Sequence, residues 1–142
     1  MNCFPFHQAS NDGPCLGWRP APDAPYSFHC YSVVDTMAKN FITGLTLAGG
    51  LERGNTESFL GIYSQNRVEW MVAALGCWMM SNSIVPLYDT LGPEACSFIM
   101  TQTEMTSILC DTKERGKMNS QLTQFRLSPA LLNGSGFDCF DF

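Results

Sequence analysis

The chain has 142 residues, enough for one domain that buries roughly two-thirds of its surface and too few for a second full one. Hydrophobic content of 45% against 15% charged excludes wholesale disorder. A net charge of -5, with only 8 lysines and arginines and no run of them, argues against a nucleic-acid partner, because phosphate contact needs clustered cations.

Residues 1–25 read as an irregular, extended lead-in, punctuated by Pro5, Pro14, Pro20, Pro22, Pro25, Gly13 and Gly17, with Trp18 and Arg19 as anchors against the body. The start has no basic region, and Pro5 and His7 interrupt its apolar residues, so it does not read as a signal peptide. Polar and aromatic residues alternate from Tyr26 to Cys30, which suits an edge strand or hairpin arm. A helix follows, opening at Tyr31, with Ser32 and Asp35 as its cap and Val34, Met37, Ala38, Phe41, Ile42 and Leu45 on one face. Ala48-Gly49-Gly50 ends it, since glycine tolerates the left-handed backbone past a helix end. Leu51 to Glu57 reads as a polar, exposed loop.

The centre of the chain is a strand, helix and strand from Ser58 to Asp89. Phe59 to Tyr63 is a short apolar run; Asn66 and Glu69 have capping-box spacing; Val68, Met71, Val72, Leu75, Trp78 and Met79 recur at helical intervals. Ser81-Asn82-Ser83 breaks the helix before Ile84 to Tyr88, a strand whose Pro86 belongs near its end or at an edge. Strands joined by such a helix lie parallel. Pro93 and Glu94 then open a third helix with Ala95, Phe98, Ile99 and Met105 turned inward, and Thr106 to Cys110 reads as a third parallel strand. Residues 113–124 have a sparse helical stripe, and 126–142 form an irregular tail. The fold class is therefore α/β, a partial doubly wound parallel sheet with flanking helices, divided into a lead-in at 1–25, the α/β domain at 26–125 and a divergent tail at 126–142.

Seven cysteines, odd in number and widely separated with no C-x-x-C, read as reduced thiols suited to a reducing cytosol, and zinc binding through Cys3, His7 and a later Cys has no defined fourth ligand. Trp70 to Met80, the longest uncharged apolar run, is about half the length a bilayer needs, so no transmembrane segment is expected. Asn133-Gly134-Ser135 reads as a turn rather than a glycosylation acceptor.

Three strings carry a resemblance: Ser10-Asn11-Asp12-Gly13-Pro14-Cys15-Leu16-Gly17; Phe59 to Arg67 with Glu69-Trp70; and Val85-Pro86-Leu87-Tyr88-Asp89-Thr90-Leu91-Gly92-Pro93-Glu94-Ala95. Together they resemble the amino-terminal part of eukaryotic long-chain fatty acid–CoA ligases, members of the adenylate-forming, AMP-binding superfamily, over roughly residues 9–117. The resemblance implies a βα-layered subdomain of that fold. For the full-length family it also implies a two-step ligation with ATP, magnesium and coenzyme A: a fatty acid forms an acyl-adenylate, and the thiol of coenzyme A then displaces AMP. In the family a Ser/Thr/Gly-rich loop ending in Pro-Lys-Gly, an adenine-site Tyr-Gly-x-Thr-Glu, a ribose-binding Asp and a lid Lys do this work. None of these motifs occurs in the chain, whose lysines are Lys39, Lys113 and Lys117 only, and neither Ala48-Gly49-Gly50 nor Gly134-Ser135-Gly136 has the context of a phosphate cradle. The expectation is a truncated or alternatively spliced fragment with no catalytic, cofactor-binding or metal-binding residue of its own, cytoplasmic, and without the anchor that ties family members to endoplasmic reticulum, mitochondrial or peroxisomal membranes. The alternative is a non-catalytic module that pairs with a full-length homologue or holds a fatty acid.

Individual candidates carry modest expectations. Asp89 and Thr90 sit where ligands often meet a parallel sheet, though a capping and turn role suffices for both. His7 and His29 lack a nucleophile or carboxylate partner by spacing. The stripe Trp70, Met71, Leu75, Trp78 and Met79 fits core packing better than an acyl tunnel. A sheet that stops after Cys110 is expected to leave that strand's edge bare, with marginal stability and a tendency to associate.

Overall fold

A computed structural model describes residues 6–52, 54–88, 90–105, 107–110 and 139–140. In chain order the elements are α1 (Phe6–Ala9), β1 (Pro14–Trp18), β2 (Ser27–Cys30), α2 (Tyr31–Leu47), β3 (Phe59–Tyr63), α3 (Val68–Met79), β4 (Ser83–Leu87), α4 (Pro93–Thr103), β5 (Ser107–Cys110) and β6 (Cys139–Phe140). The strands β4-β3-β5-β6 form one sheet, parallel throughout, and β1 and β2 form a separate antiparallel hairpin.

Strand β3 is central because both of its faces are apolar. Leu60 and Ile62 join Ile42, Leu45, Ala73, Cys77 and Leu109 in one core, under α2 and α3. Tyr63 joins Leu87, Cys96, Met100, Met105 and Ile108 in the other, under α4. Alternation of side chains along the strand produces this division, and it makes a three-layer α/β arrangement as the sequence pattern predicts.

The face that α3 buries differs from the expected stripe. Val72, Ala73, Ala74, Gly76 and Cys77 are buried, whereas Trp78 is 54% exposed. Close packing on α2 selects small residues here: a Cβ on Gly76 would lie 2.9 Å from the Ala38 carbonyl oxygen and 3.2 Å from Ile42 Cβ. The stripe is therefore divided: Trp70 packs against the core, Met71 lines the cleft, and Trp78 turns out to solvent. Burial pushes the Cys77 thiol up to about 12, so it behaves as a small hydrophobe.

Helix ends follow the sequence more closely. Helix α2 closes in a Schellman motif, with Gly50 N–H donating to Leu45 O (2.9 Å), Gly49 N–H to Thr46 O (3.1 Å), and Gly49 at φ 78°. Helix α3 ends at the expected breaker, where Ser81 takes φ 60° and Asn82 N–H donates to Cys77 O at 2.9 Å. Pro93 occupies the first turn of α4, behind Gly92.

Other expectations need correction. The lead-in is not irregular throughout, since Pro14–Trp18 pairs with Ser27–Cys30. The loop after α2 is not simply exposed: Leu51 is buried, and the Asn82 amide, itself buried, donates to Glu52 O (2.7 Å) and Asn55 O (3.1 Å). Buried Ser107 Oγ donates to Gly50 O at 2.6 Å, tying β5 to the end of α2. The β5 edge is not left bare, because β6, from the tail, pairs with it through Ile108↔Cys139 and Leu109↔Phe140. Residues 113–124, read as a helix, and the rest of the tail lie outside the described residues. Cys15, Cys30, Cys77 and Cys96 are free, but Cys110 is disulfide-bonded, so the reading of every cysteine as a reduced thiol fails there. No helix among the described residues is long and apolar enough to cross a membrane.

Two glycine substitutions on neighbouring helices test this packing with opposite signs. Gly76→Val is expected to lower unfolding free energy by about 1–3 kcal/mol through overpacking against α2. Gly44→Ala, which meets nothing within 4 Å, is expected to raise it by about 0.5–1 kcal/mol. Urea unfolding monitored by circular dichroism reads both.

Candidate functional site

A cleft of about 810 Å³ opens at the carboxyl end of β3, between the β1–β2 hairpin and the start of α3. Leu16, Met37, Val68 and Met71 supply apolar walls, and Arg19, His29, Arg67 and Glu69 bring polar groups to the rim. This is the end of a parallel sheet at which ligands are generally received, since the βα loops gather there.

The hairpin wall is built from aromatic contacts. Trp18 and His29 stack with ring centroids 4.4 Å apart, and Arg19 lies 4.3 Å over the Tyr26 ring while donating to Pro22 O at 2.8 Å. Phe28 covers Gly17, where a Cβ would meet the ring at 2.6 Å. Trp18 and Arg19 thus hold the hairpin together, and Trp18 also faces the cleft. His29 is a stacking histidine here, without a nucleophile in its described contacts.

The hairpin is fixed to the body by Asp12. Its carboxylate accepts from Ser32 N–H at 2.8 Å and from Ser32 Oγ at 2.7 Å, and so caps the first turn of α2 from 20 residues upstream. The expected local cap by Ser32 and Asp35 does not form: Cys30 is the cap residue and makes no side-chain cap bond, while Asp35 pairs with Lys39. Asn11 and Asp12 adopt φ 51° and 54°, a left-handed pair that aims the carboxylate, and Asn and Asp tolerate this region better than other side chains.

A similar replacement occurs at α3. Arg67 is the cap residue and no side-chain cap bond is made, so the Asn66–Glu69 capping box is absent. Glu69 instead receives Arg67 Nε at 2.7 Å and a second guanidinium nitrogen at 3.0 Å. This paired geometry holds the Glu69 carboxyl below its ordinary pKa. The carboxylate also complements the positive end of the helix dipole.

The remaining sequence candidates do not converge on the cleft. Thr90 is exposed in the turn after β4, where Leu91 N–H donates to Tyr88 O at 3.0 Å. Asp89, Cys3, Lys113, Lys117 and the side chain of His7 lie outside the described residues. Among the described residues, no group of three His, Cys, Asp or Glu side chains is placed to hold a metal ion. In the sequence Asp12, Arg67 and Glu69 stand only within the strings that carry the resemblance, with Glu69 also read as a capping-box partner; neither the Asp12 cap of α2 nor the Arg67–Glu69 pair was expected. The only signal for the former was an Asn-Asp-Gly turn, and for the latter two opposite charges a dipeptide apart.

With this geometry in view, comparison with known proteins identifies the family. Residues 12–133 match the family of AMP-binding enzymes, and the chain belongs to it. It is 38% identical over 124 residues to the human long-chain-fatty-acid–CoA ligase 1, covering 87% of this chain and 17% of that protein. It is 36% identical over 132 residues to the mouse long-chain-fatty-acid–CoA ligase 5, covering 93% and 19% respectively. The chain therefore spans less than a fifth of the length of these relatives. An acyl-CoA synthetase of Brucella canis superposes with a TM-score of 0.69 at 13% identity, over 92% of this chain and 21% of that structure, which shows the same fold. The sheet and helices are a partial subdomain of the adenylate-forming fold.

Removing the Asp12 carboxylate (Asp12→Ala) is expected to lower stability by about 1 kcal/mol through loss of the α2 cap, read as a fall in thermal midpoint. The Glu69 pair gives a pH signature. Because its folded pKa is depressed, its contribution is present above the ordinary carboxylate value of about 4.5 and is lost as pH falls through the lowered one. In Glu69→Gln the thermal midpoint is expected to fall less steeply across that acid range than in the parent chain.

Proposed function

We propose that the chain is a scaffold segment of an ATP-dependent long-chain fatty acid–CoA ligase and has no ligase turnover by itself. The observation that carries the first half is the family match over residues 12–133, together with the high coverage of this chain by long-chain-fatty-acid–CoA ligases. The second half is supported by how the cleft spends its charges. Arg67 is paired with Glu69, and Arg19 is engaged with Tyr26 and Pro22. A polyphosphate needs preorganised donors and cations aimed at it, and a carboxylate at the head of α3 opposes it. The described residues do not fit ATP, so no step of the ligation is routed through them. In the complete enzyme, ATP, magnesium and coenzyme A would be held by other parts of the protein, with this segment supplying the sheet on which they are mounted. The proposed location is the cytoplasm, a reading that the free thiols of Cys15, Cys30, Cys77 and Cys96 support and the disulfide at Cys110 opposes.

A second reading is favoured by the large apolar side chains at the surface. Leu47 (83% exposed), Phe98 (67%), Tyr88 (62%) and Trp78 (54%) are more than a solitary domain needs to show, and they fit a module that pairs with a full-length homologue.

One experiment addresses the first reading. Purified chain is incubated with palmitate, magnesium-ATP and coenzyme A, acyl-CoA is measured, and palmitate binding is followed in the same sample. The proposal expects neither product nor binding. Product above a no-enzyme control would contradict it and binding without product would support the acyl-holding alternative; in a separate pull-down, co-purification with full-length ligase would support the pairing module.

A further inference from the structure

We propose that Cys15 and Cys30 are a redox-sensitive thiol pair that closes to a cross-strand disulfide and locks the β1–β2 hairpin at the edge of the cleft.

The register of the hairpin brings them together. Leu16 pairs with His29, Gly17 with Phe28 and Trp18 with Ser27, and the ladder resumes with Pro14 opposite Cys30, which leaves Cys15 as the extra residue between these pairs, next to Cys30. This shift between Pro14 and Leu16 is the arrangement of a β-bulge. Regularly opposed residues of an antiparallel pair have Cβ atoms about 4.5–5.5 Å apart and a disulfide needs about 3.5–4.5 Å, so Cys15, displaced by the bulge beside Cys30, needs a local backbone adjustment to close. A bulge, where the ladder is already interrupted, is the place to make it. Both thiols are free and partly exposed, hence open to a small reagent. Their mutual proximity is felt electrostatically: burial first, and then the charge of Cys30, raise the pKa of Cys15. Closure therefore speeds up as pH rises and more thiolate forms.

The oxidant is a low-molecular-weight disulfide. One cysteine thiolate attacks it, expels one small thiol and forms a mixed disulfide; the second cysteine thiolate attacks the protein sulfur and expels the other small thiol. The two cysteines lose two protons and two electrons, and the small disulfide is reduced to two thiols. What the bond constrains follows from position. Cys30 is the cap residue of α2, its sulfur 3.4 Å from Ser32 Oγ, and Ser32 is the residue Asp12 holds. Leu16 and His29, the next pair along the ladder, line the cleft. A bond at this point fixes the hairpin's base, the start of α2 and one cleft wall as a single unit.

The test uses the full chain, incubated with oxidised glutathione, blocked with an alkylating agent and digested with a protease that cuts before aspartate. Cleavage before Asp12, Asp23 and Asp35 leaves Cys15 in residues 12–22 and Cys30 in residues 23–34. The proposal expects these two peptides linked, lighter than their sum by two hydrogens, as the dominant fate of both residues, with Cys77 unmodified. Linkage should grow faster at pH 8 than at pH 7, and dithiothreitol should reverse it. The urea midpoint of the oxidised chain should rise and return on reduction, whereas Cys30→Ser, checked for native circular dichroism, should show no such change. Separate glutathione adducts on the two peptides, or links to other cysteines, would overturn the proposal. So would a midpoint shift of the same size in Cys30→Ser.

Discussion

The structure depends on β3 being covered on both faces. Leu60 and Ile62 press into the layer of α2 and α3 while Tyr63 presses into the layer of α4, and the flanking strands β4 and β5 pair with β3 on either side. A parallel strand buried in this way has no polar face to turn to water, so each covering helix is required. The approach of α2 to α3 at Gly76 sets how tightly the first layer closes, and the Ser107–Gly50 hydrogen bond ties that layer to β5. Loss of either layer would expose the strand that every other strand of the sheet is ordered around.

What was legible in the sequence was what local chemistry determines. Apolar runs located β3 and β5, glycines marked the end of α2, and Pro93 marked the start of α4, because strand burial, left-handed helix ends and fixed proline φ depend on the residues at those positions. Contacts between distant parts of the chain were less legible. The cap of α2 comes from Asp12, and a Ser-x-x-Asp spacing inside the helix gave no hint of a carboxylate 20 residues away. The stripe of large residues on α3 was only partly right: Val72 is buried and Trp70 packs on the core, but Trp78 is exposed, because the contact with α2 runs through small residues such as Gly76. The hairpin was half visible: the arm at Ser27–Cys30 shows alternation, but its partner at Pro14–Trp18 is hidden behind Pro and Gly. The cleft depends on both, and so it was not legible at all.

The chain belongs to an AMP-binding family, and the charged groups at its cleft are engaged with one another and with the hairpin. Arg67 and Glu69 neutralise each other at the head of α3, and Arg19 serves the hairpin. These are the interactions of a wall that must hold its shape. The hairpin, Asp12 and the start of α2 form one connected structure around the cleft mouth, whose rigidity depends on a few polar contacts rather than on a core.

The most direct test of this account is native-state amide hydrogen exchange on the intact chain. A β3 sandwiched between two cores predicts that the amides of Leu60–Tyr63 and Ile108–Cys110 exchange slowest, opening only with global unfolding, while those of β1 and β2 exchange through a smaller, local opening. Equal, rapid exchange across β3 and the hairpin would contradict it, because it would mean that the central strand is not held between the two layers.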